Sequence, residues 1–236
     1  MLPERVASDE FPFHLPLLRT LDIQFTSPVT FFVGENGTGK STIVEALAAL
    51  SGLPVSGGSR NEVSANHGPD STSPLAAAMR PSFRRRPRDG YFLRAEFQAH
   101  FASLLDARKS DPDFNGDPYA LYGGRSLHTR SHGEAFLAIL QHRIRSGLFL
   151  FDEPESALSP QRQLVLLAQI SELLAAGKSQ FIVATHSPIL LTMPGAQILS
   201  FDGDAARQVT LEETSHYQIT RGILQNPRAF WKHLLK

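Results

Sequence analysis

The chain has 236 residues, 42% of them hydrophobic, and its 23 lysines and arginines balance its 23 aspartates and glutamates to a formal net charge of zero. This length and composition predict a globular protein of one large domain, or of one domain with a sizeable insertion. The absence of cysteine excludes disulfides, thiolate metal sites and cysteine nucleophiles. Overall neutrality argues against a global basic field but leaves room for local clusters of charge.

No segment of the sequence predicts a membrane span. One of the most apolar stretches, 164–174, is interrupted by Gln169, Ser171 and Glu172, whereas a span needs roughly 18 uninterrupted apolar residues. The first residues contain an early proline and an acidic residue, where an export signal has a basic and then an apolar run. We therefore expect no export signal, no direct insertion into a membrane and a cytoplasmic location.

The first elements of the chain predict two strands and a helix. Residues 17–25 alternate apolar residues with Asp22 and Gln24, which predicts a half-exposed strand at a sheet edge. Residues 29–33, Val-Thr-Phe-Phe-Val, are a β-branched and aromatic run that is typical of a buried strand. Residues 42–50 carry apolar residues at helical spacing and end near Gly52, which predicts a helix.

The segment between that second strand and the helix matches the pattern Gly-x-x-x-x-Gly-Lys-Ser/Thr at every fixed position. It consists of Gly34, Glu35, Asn36, Gly37, Thr38, Gly39, Lys40 and Ser41, and Thr42 follows it. Such a loop turns backbone N–H groups towards phosphate oxygens, and the helix adds its positive N-terminal end. We expect Lys40 to reach the β and γ phosphates and Ser41 to offer its hydroxyl to Mg²⁺. The flanking strand and helix favour a nucleoside triphosphate site over a glycine-rich turn without function.

The composition changes after this helix, because glycine, proline and serine become frequent from about residue 55 to residue 124. We interpret 55–130 as an arm inserted into a single domain of 1–236, with a strand at 91–98 and a short helix at 99–107. This region contains the one concentrated basic patch of the chain. Its arginines are Arg80, Arg84, Arg85, Arg86 and Arg88, with Phe83 and Tyr91 interleaved. Such a run is typical of a solvated loop, but it also suits the phosphates of a nucleic acid.

The rest of the chain alternates between helices and strands. The predicted helices are 134–145, 160–176 and 226–236, and the predicted strands are 148–151, 181–184 and 198–201. This alternation predicts an α/β fold around a mostly parallel sheet with right-handed crossovers.

Polar residues follow two of these strands at the sheet edge where ligands bind in open parallel sheets. Asp152 and Glu153 end one strand, and we expect Asp152 to hold Mg²⁺ directly or through water and Glu153 to polarise the attacking water. His186 follows the next strand and is expected to reach a γ-phosphate. Acid pairs and single histidines are also common on solvated surfaces, but the phosphate loop favours the functional interpretation.

Four segments taken in order resemble the ABC-type ATPases. They are 34–41, Phe151-Asp152-Glu153-Pro154-Glu155, Ser156-Ala157-Leu158-Ser159-Pro160 and Ala184-Thr185-His186-Ser187-Pro188. The chain is more closely similar to the stand-alone ATPases grouped with the RecF, SMC and overcoming-lysogenization-defect branch. The resemblance covers nearly the whole chain, most specifically 28–50 and 123–191. It implies ATP and Mg²⁺ as ligands, and an ABC-type fold with an antiparallel edge to its sheet and a small arm or helical subdomain.

The resemblance also implies roles for residues outside these segments. Ser131-His132-Gly133-Glu134 matches the family's Ser-Gly-Gly-Gln/Glu signature, which contacts the γ-phosphate bound to the opposite subunit. His132 replaces the first glycine and reduces the backbone freedom there, while Ser131 and Gly133 stay available to meet phosphate at a helix N-terminus. The alternative for this segment is a plain helix cap. Gln98 is the candidate for the glutamine loop that couples Mg²⁺ to the arm, although a surface glutamine fits nearly as well.

By this resemblance we expect an ATP-dependent homodimer with two ATP molecules at a two-fold interface. Hydrolysis to ADP and phosphate is expected to separate the two chains, and this dimer switch is expected to act on nucleic acid or on a partner effector protein. Each site contains Lys40, Ser41, Asp152, Glu153 and His186 of one chain and Ser131 of the other. The alternatives are the ATPase subunit of a transporter and a nucleotide-dependent scaffold without turnover. A small-molecule kinase is disfavoured, because no lid motif for an acceptor site is visible.

Overall fold

The computed structural model describes residues 11–60, 73–94 and 98–235. Within these ranges the helices are α1 (Pro16–Arg19), α2 (Lys40–Leu50), α3 (Pro74–Ala78), α4 (Gln98–Ser110), α5 (His132–Arg143), α6 (Pro160–Ala175), α7 (Ser215–Gln225) and α8 (Pro227–Leu234). The strands are β1 (Val29–Val33), β2 (Gly58–Ser59), β3 (Gly90–Arg94), β4 (Gly147–Asp152), β5 (Ser179–Ala184), β6 (Gln197–Ser200) and β7 (Arg207–Val209). None of the helices described is both long and apolar enough to cross a membrane.

The strands form one sheet in the order β2-β3-β4-β5-β1-β6-β7. The five central strands are parallel, whereas β2 and β7 pair antiparallel with their neighbours at the two edges. The predicted α/β class, with a mostly parallel sheet and an antiparallel edge, is therefore confirmed. β2 and β3 belong to this sheet although both lie within 55–130, so the inserted arm stays a prediction for the remainder of that range.

Alternating side chains on the strands build a core on each face of the sheet. Phe31 packs with the apolar sides of α4, α5 and α6, whereas its neighbour Phe32 packs with those of α1, α2 and α3. Both phenylalanines are fully buried, and each such burial stabilises the fold by roughly 2 to 3 kcal/mol. The result is three layers with the sheet in the middle.

The predicted strand at 17–25 is wrong. Pro16 starts a short helix instead, which suits its fixed φ, and the consecutive Leu17 and Leu18 are both buried. Residues 21–26 do alternate between partly buried and exposed positions, but they form no strand pairing. The Gln197 side chain replaces that pairing, because its amide donates to Gln24 O at 3.0 Å and accepts from Thr26 N at 3.1 Å.

The strand predicted at 91–98 ends earlier, at Arg94, and α4 begins at Gln98. Gln98 thus starts a helix and does not end the strand. Its side chain, like residues 95–97, lies outside what the structure describes. α1, β2, α3, β7 and α7 were not predicted. β1 has the predicted bounds, and the remaining predicted elements differ from the observed ones by a few residues.

Candidate nucleotide-binding site

The register of the parallel strands brings three functional segments to one edge of the sheet. β5 lies between β1 and β4, and its last residue, Ala184, is level with both Phe32 and Asp152. The phosphate loop follows β1, Glu153 follows β4 and His186 follows β5. Because the strands are parallel, these residues share the carboxyl edge, where open α/β sheets bind their ligands.

The phosphate loop enters α2 through a glycine that is needed for its backbone conformation. Gly39 is the N-cap of α2 with φ of 94°, and an added Cβ would lie 3.0 Å from the Leu15 side chain. The first N–H groups of a helix have no partner within it, and they point towards the loop with the positive end of the helix dipole. This arrangement fits the phosphates of a nucleotide.

Lys40 lies across the loop and is almost entirely buried, with 4% exposure. Its Nζ donates to Gly34 O at 2.6 Å and to Glu35 O at 2.9 Å. Burial lowers the pKa of the ammonium, and the nearby carboxylates, Glu153 foremost, oppose that shift. The ammonium is therefore held at the loop by carbonyl oxygens and by the negative field of the site.

Ser41 and Asp152 come together from α2 and β4. Ser41 Oγ donates to Asp152 Oδ1 at 2.9 Å, and Asp152 is only 6% exposed. Burial raises the pKa of the Asp152 carboxyl to about 6, although Arg94 and the hydrogen bond from Ser41 lower it. No group of three His, Asp or Glu side chains among the described residues could hold a metal. One carboxylate beside one hydroxyl fits Mg²⁺, which completes its shell with waters and phosphate oxygens.

Arg94 is a member of this cluster that the sequence analysis missed. It ends β3 level with Asp152, and its Nε lies 3.5 Å from Asp152 Oδ2. Its Nη1 also donates to Glu45 Oε1 on α2. The signal in the sequence was a single charged residue after the apolar run of residues 91–93, a run that by itself predicts only a strand. The guanidinium offsets the negative charge of both carboxylates.

Glu153 has an unusual backbone, with φ of 49° in the left-handed region. Such a conformation costs a residue with a side chain about 1 to 2 kcal/mol, and functional sites often retain it. The Glu153 N–H donates to Ala184 O at 3.0 Å, which ties this turn to β5. The carboxylate is 42% exposed, with Oε1 3.6 Å from His186 Nε2. The acid and the histidine predicted for catalysis are thus neighbours.

His186 has two further partners that were not predicted. Its Nδ1 lies 2.9 Å from Nε2 of His216 on α7, and its backbone N–H donates to Glu155 Oε1. Burial lowers the pKa of His186, as do the charges of Lys40 and His216, whereas Glu153 raises it. Burial also raises the pKa of Glu155. These effects favour a neutral imidazole that can act as a hydrogen-bond donor or acceptor at the site.

Ser131 and Gly133 lie apart from this cluster. Ser131 and Glu134 form a reciprocal cap at the start of α5, and Arg162 Nη1 donates to Ser131 Oγ at 3.1 Å. An added Cβ at Gly133 would lie 2.8 Å from Ala157 O, so this glycine allows α5 to approach the turn that follows β4. The hydrogen bonds described for Ser131 do not reach the phosphate loop. One chain therefore brings together Lys40, Ser41, Asp152, Glu153 and His186, but not Ser131.

Two family models match the chain: "AAA domain" over residues 12–102, and "AAA domain, putative AbiEii toxin, Type IV TA system" over residues 135–192. The hemin import ATP-binding protein HmuV of Streptomyces coelicolor is 31% identical over 185 residues, which are 71% of this chain and 63% of that protein. The translation initiation factor RLI1 of Saccharomyces cerevisiae is 22% identical over 209 residues, which are 88% of this chain and 31% of that protein. The chain thus spans less than two thirds of the length of these curated relatives.

Among solved structures, "An inward-facing conformation of a putative metal-chelate type ABC transporter" matches with a TM-score of 0.50 and 17% identity, over 84% of this chain and 79% of that one. This likeness supports the same fold. The chain belongs to the P-loop ATPases of the AAA/ABC type. The resemblance to the ABC-type ATPases and the prediction of an ATPase-family domain are confirmed.

Proposed function

We propose that the chain hydrolyses ATP to ADP and phosphate at a site that a second copy of the chain completes, and that the ATP-bound dimer is the active state of a switch. The convergence of Lys40, Ser41, Asp152, Glu153 and His186 at one sheet edge carries this proposal. These groups provide a phosphate-binding loop, two side chains suited to one Mg²⁺ ion, and an acid beside a histidine.

The proposed roles follow from the positions of the side chains. The backbone N–H groups of the phosphate loop bind the phosphates, except that of Glu35, which donates to Asp202 Oδ1 at 2.7 Å. The Lys40 ammonium turns from the Gly34 and Glu35 carbonyls to the β and γ phosphates. Ser41 and Asp152 would hold Mg²⁺, which would offset the charge that develops on the transferred phosphoryl group. Positioning and electrostatics then supply most of the rate enhancement.

Glu153 and His186 act on the opposite side of the γ-phosphate from the loop in this proposal. The left-handed turn at Glu153 leaves its carboxylate partly exposed, where it can orient the attacking water. His186 Nε2, which faces this carboxylate, donates a hydrogen bond to a γ-phosphate oxygen. The proximity of the two groups lets one γ-phosphate contact both.

The dimer is proposed because the first two residues of the signature segment are accessible, although Gly133 is buried. Ser131 and His132 are exposed, and the Ser131 side chain caps the N–H of Glu134. The N–H groups of His132 and Gly133 are left for an anion at this helix start. In a head-to-tail pair, Ser131 and Gly133 of each chain then meet the ATP bound by the other.

The test compares Glu153→Gln with Glu153→Gln/Ser131→Ala and with Lys40→Ala. Light scattering with Mg²⁺ and ATP should find Glu153→Gln as a stable dimer, the double variant as an ATP-bound monomer, and Lys40→Ala as a monomer without nucleotide. Phosphate release should fall at least about 100-fold in Glu153→Gln. Release at the parent rate would refute the role of Glu153. Dimerisation of the parent without measurable release would favour the scaffold alternative.

We further propose nucleic acid as the partner on which the switch acts, because the arginine segment carries unpaired positive charge. Arg80, Arg84, Arg85, Arg86 and Arg88 are all exposed in the coil between α3 and β3. None of the five forms an ion pair with a described residue. The Arg86 guanidinium lies 5.8 Å from the centre of the Phe83 ring, which is itself 38% exposed. Cations beside an exposed aromatic ring suit phosphates and stacked bases.

This segment lies at the amino edge of the parallel strands, opposite the nucleotide edge. Asp89 follows the segment, and its carbonyl accepts a hydrogen bond from Leu148 at the start of β4. Arg143 Nη2 lies 3.6 Å from the Asp89 carboxylate, and Arg145 is exposed beside it in sequence. Asp89 thus neutralises Arg143, and Arg145 is the exposed cation that the residues before β4 add near this segment.

Fluorescence anisotropy with labelled single-stranded and duplex oligonucleotides tests this partner. The triple change Arg84→Glu, Arg85→Glu and Arg86→Glu should weaken binding at least about tenfold at low salt and flatten its salt dependence. The control reverses three exposed cations elsewhere, Arg207, Arg228 and Lys232, and should bind like the parent. Equal affinity of the two triple variants would refute nucleic acid at this surface, and a preference for anionic vesicles would point to a membrane instead.

A further inference from the structure

His186 has a second imidazole beside it, supplied by a helix that no recognised motif reaches. His216 lies in the first turn of α7, with its Nε2 2.9 Å from His186 Nδ1 and the two ring centres 5.0 Å apart. The start of α7 is fixed by Thr214, which is 4% exposed, accepts from Tyr217 N at 3.3 Å and donates to Leu211 O at 2.7 Å. His216 is therefore held in place by a capped helix.

A hydrogen bond between two neutral imidazoles allows two arrangements of protons. Either His216 Nε2 carries the proton and donates to His186 Nδ1, or His186 Nδ1 carries it and donates to His216. In the first arrangement the proton of His186 is on Nε2, and in the second Nε2 has only a lone pair. The contact with His216 thus decides what His186 presents on its other side.

The groups on either side of the pair favour the first arrangement. His186 Nε2 faces Glu153 Oε1 at 3.6 Å, and a carboxylate or a phosphate oxygen needs a donor there. At the other end, Ser215 Oγ lies 3.5 Å from His216 Nδ1 and can donate to it. Each nitrogen along Ser215, His216, His186 and Glu153 then has a suitable counterpart, whereas the second arrangement places a lone pair against the carboxylate.

We propose that His216 is a positioning residue that donates from Nε2 to His186 Nδ1 and so keeps the His186 proton on Nε2, directed at the γ-phosphate and Glu153. This inference rests on the proposed function, because it concerns the histidine assigned to the γ-phosphate. It adds α7 to the elements on which turnover depends. His216 itself need not touch the nucleotide.

The test separates a donor at position 216 from bulk at that position. His216→Gln keeps an N–H donor near the place of Nε2, whereas His216→Leu keeps the volume and loses the donor. Steady-state phosphate release should keep kcat within about threefold in His216→Gln and lower it about 10- to 100-fold in His216→Leu, with KM for ATP changed less than about twofold. The same two changes at the exposed His142 on α5 are the matched controls and should leave both parameters unchanged.

A spectroscopic measurement reads the proton directly and does not depend on turnover. Correlation of ring ¹⁵N and ¹H shifts in the histidine-labelled full chain should find His186 protonated on Nε2 in the parent and in His216→Gln. His216→Leu should show loss of that single tautomer. Protonation of His186 on Nδ1 in the parent would overturn the inference.

Two kinetic outcomes are equally decisive. The inference fails if His216→Leu retains the kcat of the parent, or if His216→Gln loses as much as His216→Leu at an unchanged melting temperature. The double variant His186→Ala/His216→Leu should be no slower than His186→Ala, because residues that act as a unit are not additive. Full activity of His186→Ala would instead refute the proposed role of His186, while the tautomer measurement still decides the role of His216.

Discussion

Replacing Asp152 by asparagine should stabilise the ligand-free protein, and should do so more at pH 8 than at pH 5. Burial raises the pKa of the Asp152 carboxyl from 3.8 to about 6, against the opposing effects of Arg94 and Ser41. A raised pKa means that folding favours the protonated form, so the stability from this group is present below pH 3.8 and is lost as the pH rises through about 6. Asparagine has no charge to bury and lacks this loss.

The size of the effect follows from the shift. A difference of about two pKa units corresponds to about 3 kcal/mol of unfolding free energy between the two pH limits. Between pH 8 and pH 5, where the folded protein takes up the proton and the unfolded chain does not, the change is about 1.4 kcal/mol. The advantage of Asp152→Asn over the parent should shrink by that amount across this interval.

Urea denaturation followed by far-UV circular dichroism, with EDTA and without nucleotide, measures this difference at pH 5, 6, 7 and 8. Asp113→Asn makes the same change at an exposed position and is the control. A gap between Asp152→Asn and the parent that stays constant over this range, or that widens as the pH falls, would refute the reasoning. Turnover of Asp152→Asn should be lost, because Mg²⁺ loses its carboxylate.

Four further changes test the packing of the fold and the charge balance at the site. Gly147→Ala should cost about 2 to 4 kcal/mol in urea denaturation, since φ is 127° and a Cβ would collide with the Asp89 carbonyl oxygen. Gly177→Ala, with φ of 67° and open space around it, should cost only about 1 kcal/mol, and equal losses would contradict this account. Gln197→Leu should cost about 2 to 4 kcal/mol, because it leaves buried polar groups unpaired, and an unchanged midpoint would mean that apolar contacts alone hold residues 21–26. Arg94→Met should raise the pKa of Asp152 further, so the free energy of unfolding should change over a higher pH range than in the parent. A shift of that range to lower pH in urea denaturation would count against the ion pair.

The sequence predicted the parts of the fold whose local pattern and final environment agree. The run 29–33 became β1 with unchanged bounds, and Asp152 at the end of β4 lies level with the end of β5, as the parallel arrangement requires. The phosphate loop was recognisable because its spacing reflects a backbone requirement, seen in the left-handed Gly39. In these places the residues of one segment are sufficient to determine its local structure.

The errors arose where structure depends on distant residues. Residues 21–26 have the alternation of a strand, but the Gln197 amide takes the place of a partner strand. Arg94 and His216 acquire their significance only through contacts with Asp152 and His186, which are far away in sequence. α7 was not predicted, and none of its residues is buried. Side-chain pairs of this kind have no fixed spacing for a motif to record.

The charges at the two edges of the parallel sheet interact only weakly with each other. β4 has six residues, so its ends are roughly 20 Å apart. The Debye length is about 8 Å at physiological ionic strength, so ions in the solvent screen most of the field of the exposed arginine segment over this distance. An anion at the amino edge therefore has only a small direct effect on nucleotide affinity. Strong communication between the edges has to be mechanical, carried along the buried hydrogen-bonded strands or through a displacement of the helices packed on them.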